Sequence, residues 1–515
     1  PAPQSDAAFA RTPMPADTLV PTETLGMAIA DAYANNPQLQ AQRARLRQLD
    51  EGVIEAGSAY RLNLGLVGSL SYSQGPTQGF FIGEFQTGRT RNFGAALTAS
   101  QILLNGGRTA AQVSAAEADV LAGREQLRAT ENFLLLEVID SYISVRRDQQ
   151  VVAIQQRSVD SYGRQVDQAR ARERAGDLTR TDIAQADAQL QIVRASLSQA
   201  QASLQANRAR FAVAVGRNPG ILAPEPALPG LPASLDMAYM IAERESPSLW
   251  SAVLSRRAGK ERIASERANR SPQLTAEGSY GYTTLNTIRN ADLRQTITGG
   301  VTLTIPILAQ GILGSRIRTA IAEEQRLGFV VENVRRQVDQ AVLSSWNNAI
   351  AARDQLSAGE AAVRAGEDAL TGVRRGFSEG FRSNFEVLDS EQRLLTAQLI
   401  VANARYTRYA GQANLLAYLG RLEAASLEQS TQRYDETAYL KTQRSHQIGP
   451  FQLLLKPIDQ LQKPSTRGLP APVVVVATDP TIGRATTPPP EGTLGTELPV
   501  DPAVPVRDYQ GSPAR

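Results

Sequence analysis

The 515-residue sequence contains no cysteine and a single histidine. Without cysteine there is no disulfide, no thiolate nucleophile, no cysteine-bound zinc and, within these residues, no cysteine to carry a lipid anchor. The lone His446, in SHQIGPF, leaves no Cys/His metal cluster, and nothing beside it suggests a Ser-His-Asp triad. GxGxxG and P-loop patterns are missing too. No catalysis and no cofactor is expected, since carboxylate-only hydrolysis finds a poor pocket in a helical seam. Net charge is nearly absent: 54 basic against 51 acidic residues leave +3. No dense basic block points to nucleic acid. No run of about eighteen apolar residues is present, so no transmembrane helix is expected and a membrane role has to use β-strands. Aromatics make up only 5%.

What fills the chain instead is Ala, Gln, Arg, Leu and Glu, a mix suited to long helices with small residues in their seams. It is also duplicated. TLGMAIADAYANNPQL (24–39) matches SLDMAYMIAERESPSL (234–249), and GSLSY (68–72) matches GSYGY (278–282), both at an offset of 210. AGDLTRTDIAQADAQL (175–190) meets EGFRSNFEVLDSEQRL (379–394) at an offset of 204. The chain is a tandem repeat of a unit of roughly 205 residues. It divides into an extension (1–23), a first repeat (24–215), a Pro-rich joint (216–233), a second repeat (234–425), a segment expected near the waist (426–463) and a tail (464–515). The tail holds 11 of the 28 prolines, which reads as extended or disordered. The opening PAPQSDAAFA has no initiator Met and no apolar leader, as expected of a mature form whose signal peptide has been removed.

Each repeat reads helix, strand, loop, strand, long helix, glycine turn, helix. The strands, near 62–73, 92–103, 273–283 and 295–307, alternate apolar residues with Ser, Thr, Asn and Gly. Such strands suit a barrel wall with a wet lumen better than a half-buried sheet of a soluble domain, and Tyr60, Tyr72, Phe93, Tyr280 and Tyr282 fit equally as interfacial aromatics or as ordinary strand residues. Ile183, Leu190, Leu197, Leu204 and Phe211 recur every seven residues as a coiled-coil seam, with Asn207 breaking the companion row. Val387, Leu394, Val401 and Leu415 repeat the seam, interrupted by Arg408. Four strands cannot close a barrel, and lipid tolerates no open sheet edge, so the chain has to assemble; three copies give twelve strands. The segments from Gly106 to Arg174 and from Gly311 to Ser378 contain no proline, and about 68 helical residues at 1.5 Å each continue the wall for on the order of 100 Å.

On NNPQL (35–39), QILLNGGR (101–108) and the two glycine-turn segments, the chain resembles the TolC family of outer-membrane channels over roughly residues 20–425. The resemblance implies a mixed α/β membrane protein in the outer membrane of a Gram-negative cell. Its homotrimer joins a twelve-stranded β-barrel, four strands from each chain, to a long periplasmic α-helical coiled-coil barrel. The implied function is an exit duct for secreted protein or small-molecule efflux, the alternative being a soluble coiled-coil scaffold or adaptor. Implied partners are outer-membrane lipid, a periplasmic adaptor and an inner-membrane transporter; for the transporter, an ABC type is preferred to a proton-driven one. The family's turn pattern places Gly380, Arg382, Glu386 and Asp389 at one hairpin tip, with Glu in place of the first acid. Gly176, Thr181 and Asp182 fall at the other tip. Three copies of Glu386 and Asp389 then form an acidic ring at the entrance, a site that favours cations and offers them a place to block. Family members hold the closed state through the turn Arg and a Tyr bonded to the Thr-Asp pair; Arg382 keeps the first, but Phe377 occupies the Tyr position and lacks the hydroxyl.

Overall fold

The computed structural model describes residues 23–78, 85–284, 293–424, 434–445 and 452–466. His446 and the greater part of the Pro-rich tail lie outside the described residues.

Caps and prolines set the helix starts, and they do so twice. The Thr24 hydroxyl accepts the Met27 N–H (3.3 Å) to start α1 (Leu25–Asn35); 210 residues later Ser234 accepts from Met237 (3.2 Å) to start α5 (Leu235–Glu245). Asn36 accepts from Gln38 and Leu39 to start α2 (Pro37–Ala56), with proline at its first position. At α6 (Pro247–Ala268) the proline at the first position is repeated as Pro247, while Ser246 ahead of it makes no side-chain cap bond.

Four strands, β1 (Asn63–Gln78), β2 (Phe85–Leu104), β3 (Gln273–Thr284) and β4 (Leu293–Thr304), form one antiparallel sheet in sequence order. The register pairs Leu66 with Leu97, Leu97 with Tyr280 and Tyr280 with Ile297, placing these four on one face. That face is bare: Leu66 is 79% and Ile297 71% exposed. Gly65, Ser69, Thr98, Ser279 and Thr298 line the opposite face. The first two strands run further than their alternation, past 73 and from before 92. Ladder pairing continues from Ser73↔Thr90 to Gln78↔Phe85, because backbone bonds do not need the apolar period that ends at Tyr72. β4 stops at Thr304, short of 307, where Pro306 brings no N–H to a ladder. β1 and β4 are the two edges of the sheet.

The strands feed α3 (Arg108–Ala175, 68 residues) and α7 (Ile312–Ser378, 67 residues), each about 100 Å long. Each returns as half of a hairpin, α3 with α4 (Arg180–Val215) and α7 with α8 (Asn384–Leu419). Two short helices follow, α9 (Ala438–Ser445) and α10 (Gln452–Gln462). The main core lies near mid-length, where Ile29, Leu39, Leu135, Ile139, Tyr142, Phe211 and Leu416 are buried together. A second cluster joins the two hairpins nearer their tips through Ile154, Tyr162, Val166, Leu190, Leu388 and Leu395. The polar break in the seam is satisfied: the Asn207 side-chain amide donates to Asp148 at 2.6 Å.

Candidate gate at the hairpin tips

Both tips use the same two devices, 204 residues apart. The first is a left-handed glycine. Gly176 (φ 88°) ends α3 while the Asp177 N–H returns to the Arg172 carbonyl at 2.9 Å. Gly380 (φ 85°) ends α7 while Phe381 returns to the Gly376 carbonyl at 2.8 Å. The second is a capping box. Asp182 donates its N–H to Thr179 Oγ1 (3.4 Å), and its carboxylate accepts the Thr179 N–H (3.0 Å). Glu386 repeats this with Ser383 at 3.3 and 2.8 Å.

Glu386 is therefore first a helix cap. Its Oε2 accepts the Ser383 N–H and its Oε1 accepts from Arg382 Nη1 at 2.7 Å. The Ser383 backbone bond first, then Arg382, holds its carboxyl below the usual glutamate range. Asp389, one turn on, pairs with Arg393 at 2.9 Å. Both acids stay accessible, their side chains 39% and 43% exposed. Phe381 and Phe385 beside them are also exposed.

The two hairpins are fastened by other residues. The Arg172 guanidinium of α3 stacks 4.3 Å over the Phe377 ring and donates to the Phe377 carbonyl oxygen at 3.1 Å. Deeper in the seam, the buried Glu391 of α8 gathers three donors on Oε1: Arg374 Nη2 (2.6 Å), Gln165 Nε2 (2.8 Å) and Ser161 Oγ (3.0 Å). Two of these come from α3 and one from α7, so a single carboxylate ties three helices. The Tyr162 hydroxyl donates to the Leu388 carbonyl at 3.3 Å, and Gln189 donates to Gln392 at 2.9 Å. Burial first, with the nearby Glu391 charge adding to it, pushes the Tyr162 hydroxyl far above its ordinary range.

The expected Arg382 bond to Thr181 and Asp182 is not how these side chains pair within one chain. Arg382 turns to Glu386, four residues on along its own tip, and Asp182 is engaged by Thr179. Thr181 sits exposed in the first turn of α4. Gly176, Gly380, Arg382, Glu386 and Asp389 all lie at or within a few turns of the tips. Phe377 has no hydroxyl but keeps a cross-hairpin contact through its ring. Arg172, Arg374, Glu391, Ser161 and Gln165 gave no local signal. The capping boxes did, as Thr179-x-x-Asp182 and Ser383-x-x-Glu386.

A family model described as "outer membrane efflux protein" matches residues 28–217 and 238–421, the two repeats. The chain belongs to the outer membrane efflux protein family, the TolC-type channels. Among its relatives, outer membrane efflux protein BepC of Brucella suis is 30% identical, covering 83% of this chain and 92% of BepC. Outer membrane protein TolC of Escherichia coli is 26% identical over 80% of this chain and 85% of TolC. The alkaline protease secretion protein AprF of Pseudomonas aeruginosa is 23% identical over 60% of this chain and 66% of AprF. In fold, the crystal structure of the Campylobacter jejuni outer membrane channel CmeC superposes with a TM-score of 0.70 at 14% identity, covering 81% of this chain and 88% of that one.

Membership makes the protein a non-enzymatic outer-membrane channel for efflux or secretion, with a long periplasmic extension and a trimeric working state in a tripartite system. The soluble scaffold is thereby set aside. The bare apolar face of the sheet becomes the lipid-facing wall, and the two free edges become the places where protomers join.

Proposed function

We propose that the protein is the exit duct of a type I secretion system, receiving polypeptide from an ABC-type inner-membrane transporter through a periplasmic adaptor. The entrance is the hairpin-tip ring, to which each protomer contributes Glu386 and Asp389, and the two repeats (24–215 and 234–425) supply equivalent walls joined by 216–233. The observation that carries the gate is the combination of accessible acids at the tip with the fastening of the hairpins behind them, through Arg172–Phe377 and Glu391. Three pairs of carboxylates around a narrow lumen favour cations and bind multivalent ones. Loosening the fastenings lets the hairpins separate and the ring widen. Arg382 acts in this scheme by orienting the accessible Glu386 carboxylate within its own chain, and the bonds we propose from Arg382 to Thr181 and Asp182 of another protomer would hold the closed trimer.

A second reading, small-molecule efflux, is favoured by the name of the BepC relative. A deletion strain separates the two readings. Loss of secreted polypeptides with unchanged drug susceptibility supports the first. Drug hypersensitivity with an unchanged set of secreted proteins rejects it in favour of the second.

A further inference from the structure

α10 is amphipathic, and it is docked with its polar side inward. Asp459, only 6% exposed, points into the protein: Oδ1 accepts the Gly107 N–H (2.9 Å), and Oδ2 accepts the Ala110 N–H (2.8 Å) and the Tyr60 hydroxyl (2.8 Å). It thus caps the start of α3 from some 350 positions along the chain. Just past the helix, Lys463 bonds Glu261 and Ser114. The opposite stripe is apolar and uncovered, with Leu453 73%, Leu454 68%, Ile458 47% and Leu461 88% exposed. A helix of a soluble region buries such a stripe.

The location says what covers it. The helix lies against the base of β2 and the 3₁₀ turn at Gly57–Tyr60. That turn covers Gln101, whose side-chain amide donates to the Ala59 carbonyl at 3.3 Å. By the two-residue period, Gln101 shares its face of β2 with Leu97 and Ala99, the lipid-facing side. α10 therefore stands on the outer side of the barrel's periplasmic rim, against the base of β2, an inner strand of the sheet, and the turn that leads into β1. Its bare stripe continues the apolar wall of Leu64, Leu66 and Leu97 just below it.

We infer that α10 is an interfacial membrane helix, lying in the inner leaflet of the outer membrane with its leucine stripe among glycerophospholipid acyl chains. Asp459 holds it to the joint between barrel and tunnel. Lys456, exposed on its flank, stands at headgroup level. The chain then grips the membrane at the barrel's base as well as through its strands.

The lack of cysteine makes the test clean. Nitroxide labels are placed singly through Leu461→Cys and Leu454→Cys in the full-length trimer, reconstituted in phospholipid vesicles. Accessibility is read to oxygen, which concentrates in lipid, and to a water-soluble nickel chelate. Leu66→Cys serves as the lipid reference and Gln168→Cys on α3 as the water reference. The expected result is an oxygen-to-nickel ratio at 461 and 454 several-fold above that at 168 and approaching that at 66. High nickel accessibility at both helix sites overturns the inference, and so does low accessibility to both reagents, which means protein covers the stripe. Failure at 66 as well would strike the membrane reading of the strands, so the two failures are told apart.

Discussion

The Arg172 guanidinium lies 4.3 Å above the Phe377 ring and joins the two hairpins of one protomer at their tips. An aromatic ring without a hydroxyl still holds a cation, so the position makes a cross-hairpin contact without a hydroxyl bond. A partly exposed stack of this kind contributes about 0.5–1 kcal/mol. Arg172→Gln is expected to raise the open population by roughly two- to five-fold, seen as more frequent high-conductance events in planar bilayers. Phe377→Tyr keeps the ring and should leave the closed state as stable as in the parent or more so.

Glu391 is the buried tie. Glu391→Ala leaves Arg374, Gln165 and Ser161 without their common acceptor and should weaken hairpin pairing by about 1.5–3 kcal/mol. Amide hydrogen exchange in residues 158–170 and 385–395 should accelerate, while the mid-length core around Tyr142 and Phe211 stays protected. Equal acceleration in both regions would show that Glu391 acts on global stability and not on the tips.

The capping boxes make separate predictions. Ser383→Ala and Thr179→Ala should each cost about 1 kcal/mol and fray the first turn of α8 or α4. Glu386→Gln should cost less and keep the first turn in place, because glutamine keeps the reciprocal bond at the third helical position and loses only the charge paired with Arg382. Exchange rates of the amides at 385–387 distinguish the two kinds of substitution.

Acidification acts on the same residue with a definite sign. Glu386 has a depressed carboxyl pKa in the fold, so its contribution to stability is complete above the pKa of the unfolded chain. That contribution is lost as pH falls through the lower folded value. Repulsion within an acidic ring pushes the other way. The capping bonds are expected to win, so the Glu386-dependent part of cation selectivity should survive to a pH below the ordinary glutamate range. Reversal potentials of parent and Glu386→Gln channels, measured down a pH series, check this.

Asp459→Ala should free the Gly107 and Ala110 amides at the start of α3 and cost about 1–3 kcal/mol there. The trimer's resistance to heat in detergent should fall accordingly.

Much of this architecture was legible in the residues. The offset of 204 pairs Gly176 with Gly380 and Asp182 with Glu386, and the structure gives both pairs the same turn and the same cap. Strand faces followed from alternation, but strand lengths did not, because the backbone ladder beyond Tyr72 needs no apolar period. Helical periodicity revealed the seam, yet not Glu391: its donors Ser161 and Gln165 lie 230 and 226 positions away, and nothing local marks a buried acid. The orientation of α10 was equally hidden. An apolar stripe states that a helix has two faces, and only the Asp459 contacts say which one points inward.

The central claim is that Glu386 and Asp389 line the entrance and set its preference for cations. It is tested most directly by the reversal potential of Glu386→Gln/Asp389→Asn channels under a salt gradient in planar bilayers. The account predicts a clear shift toward zero, with conductance events of parental size because the helix caps are kept. A reversal potential identical to that of the parent would contradict it.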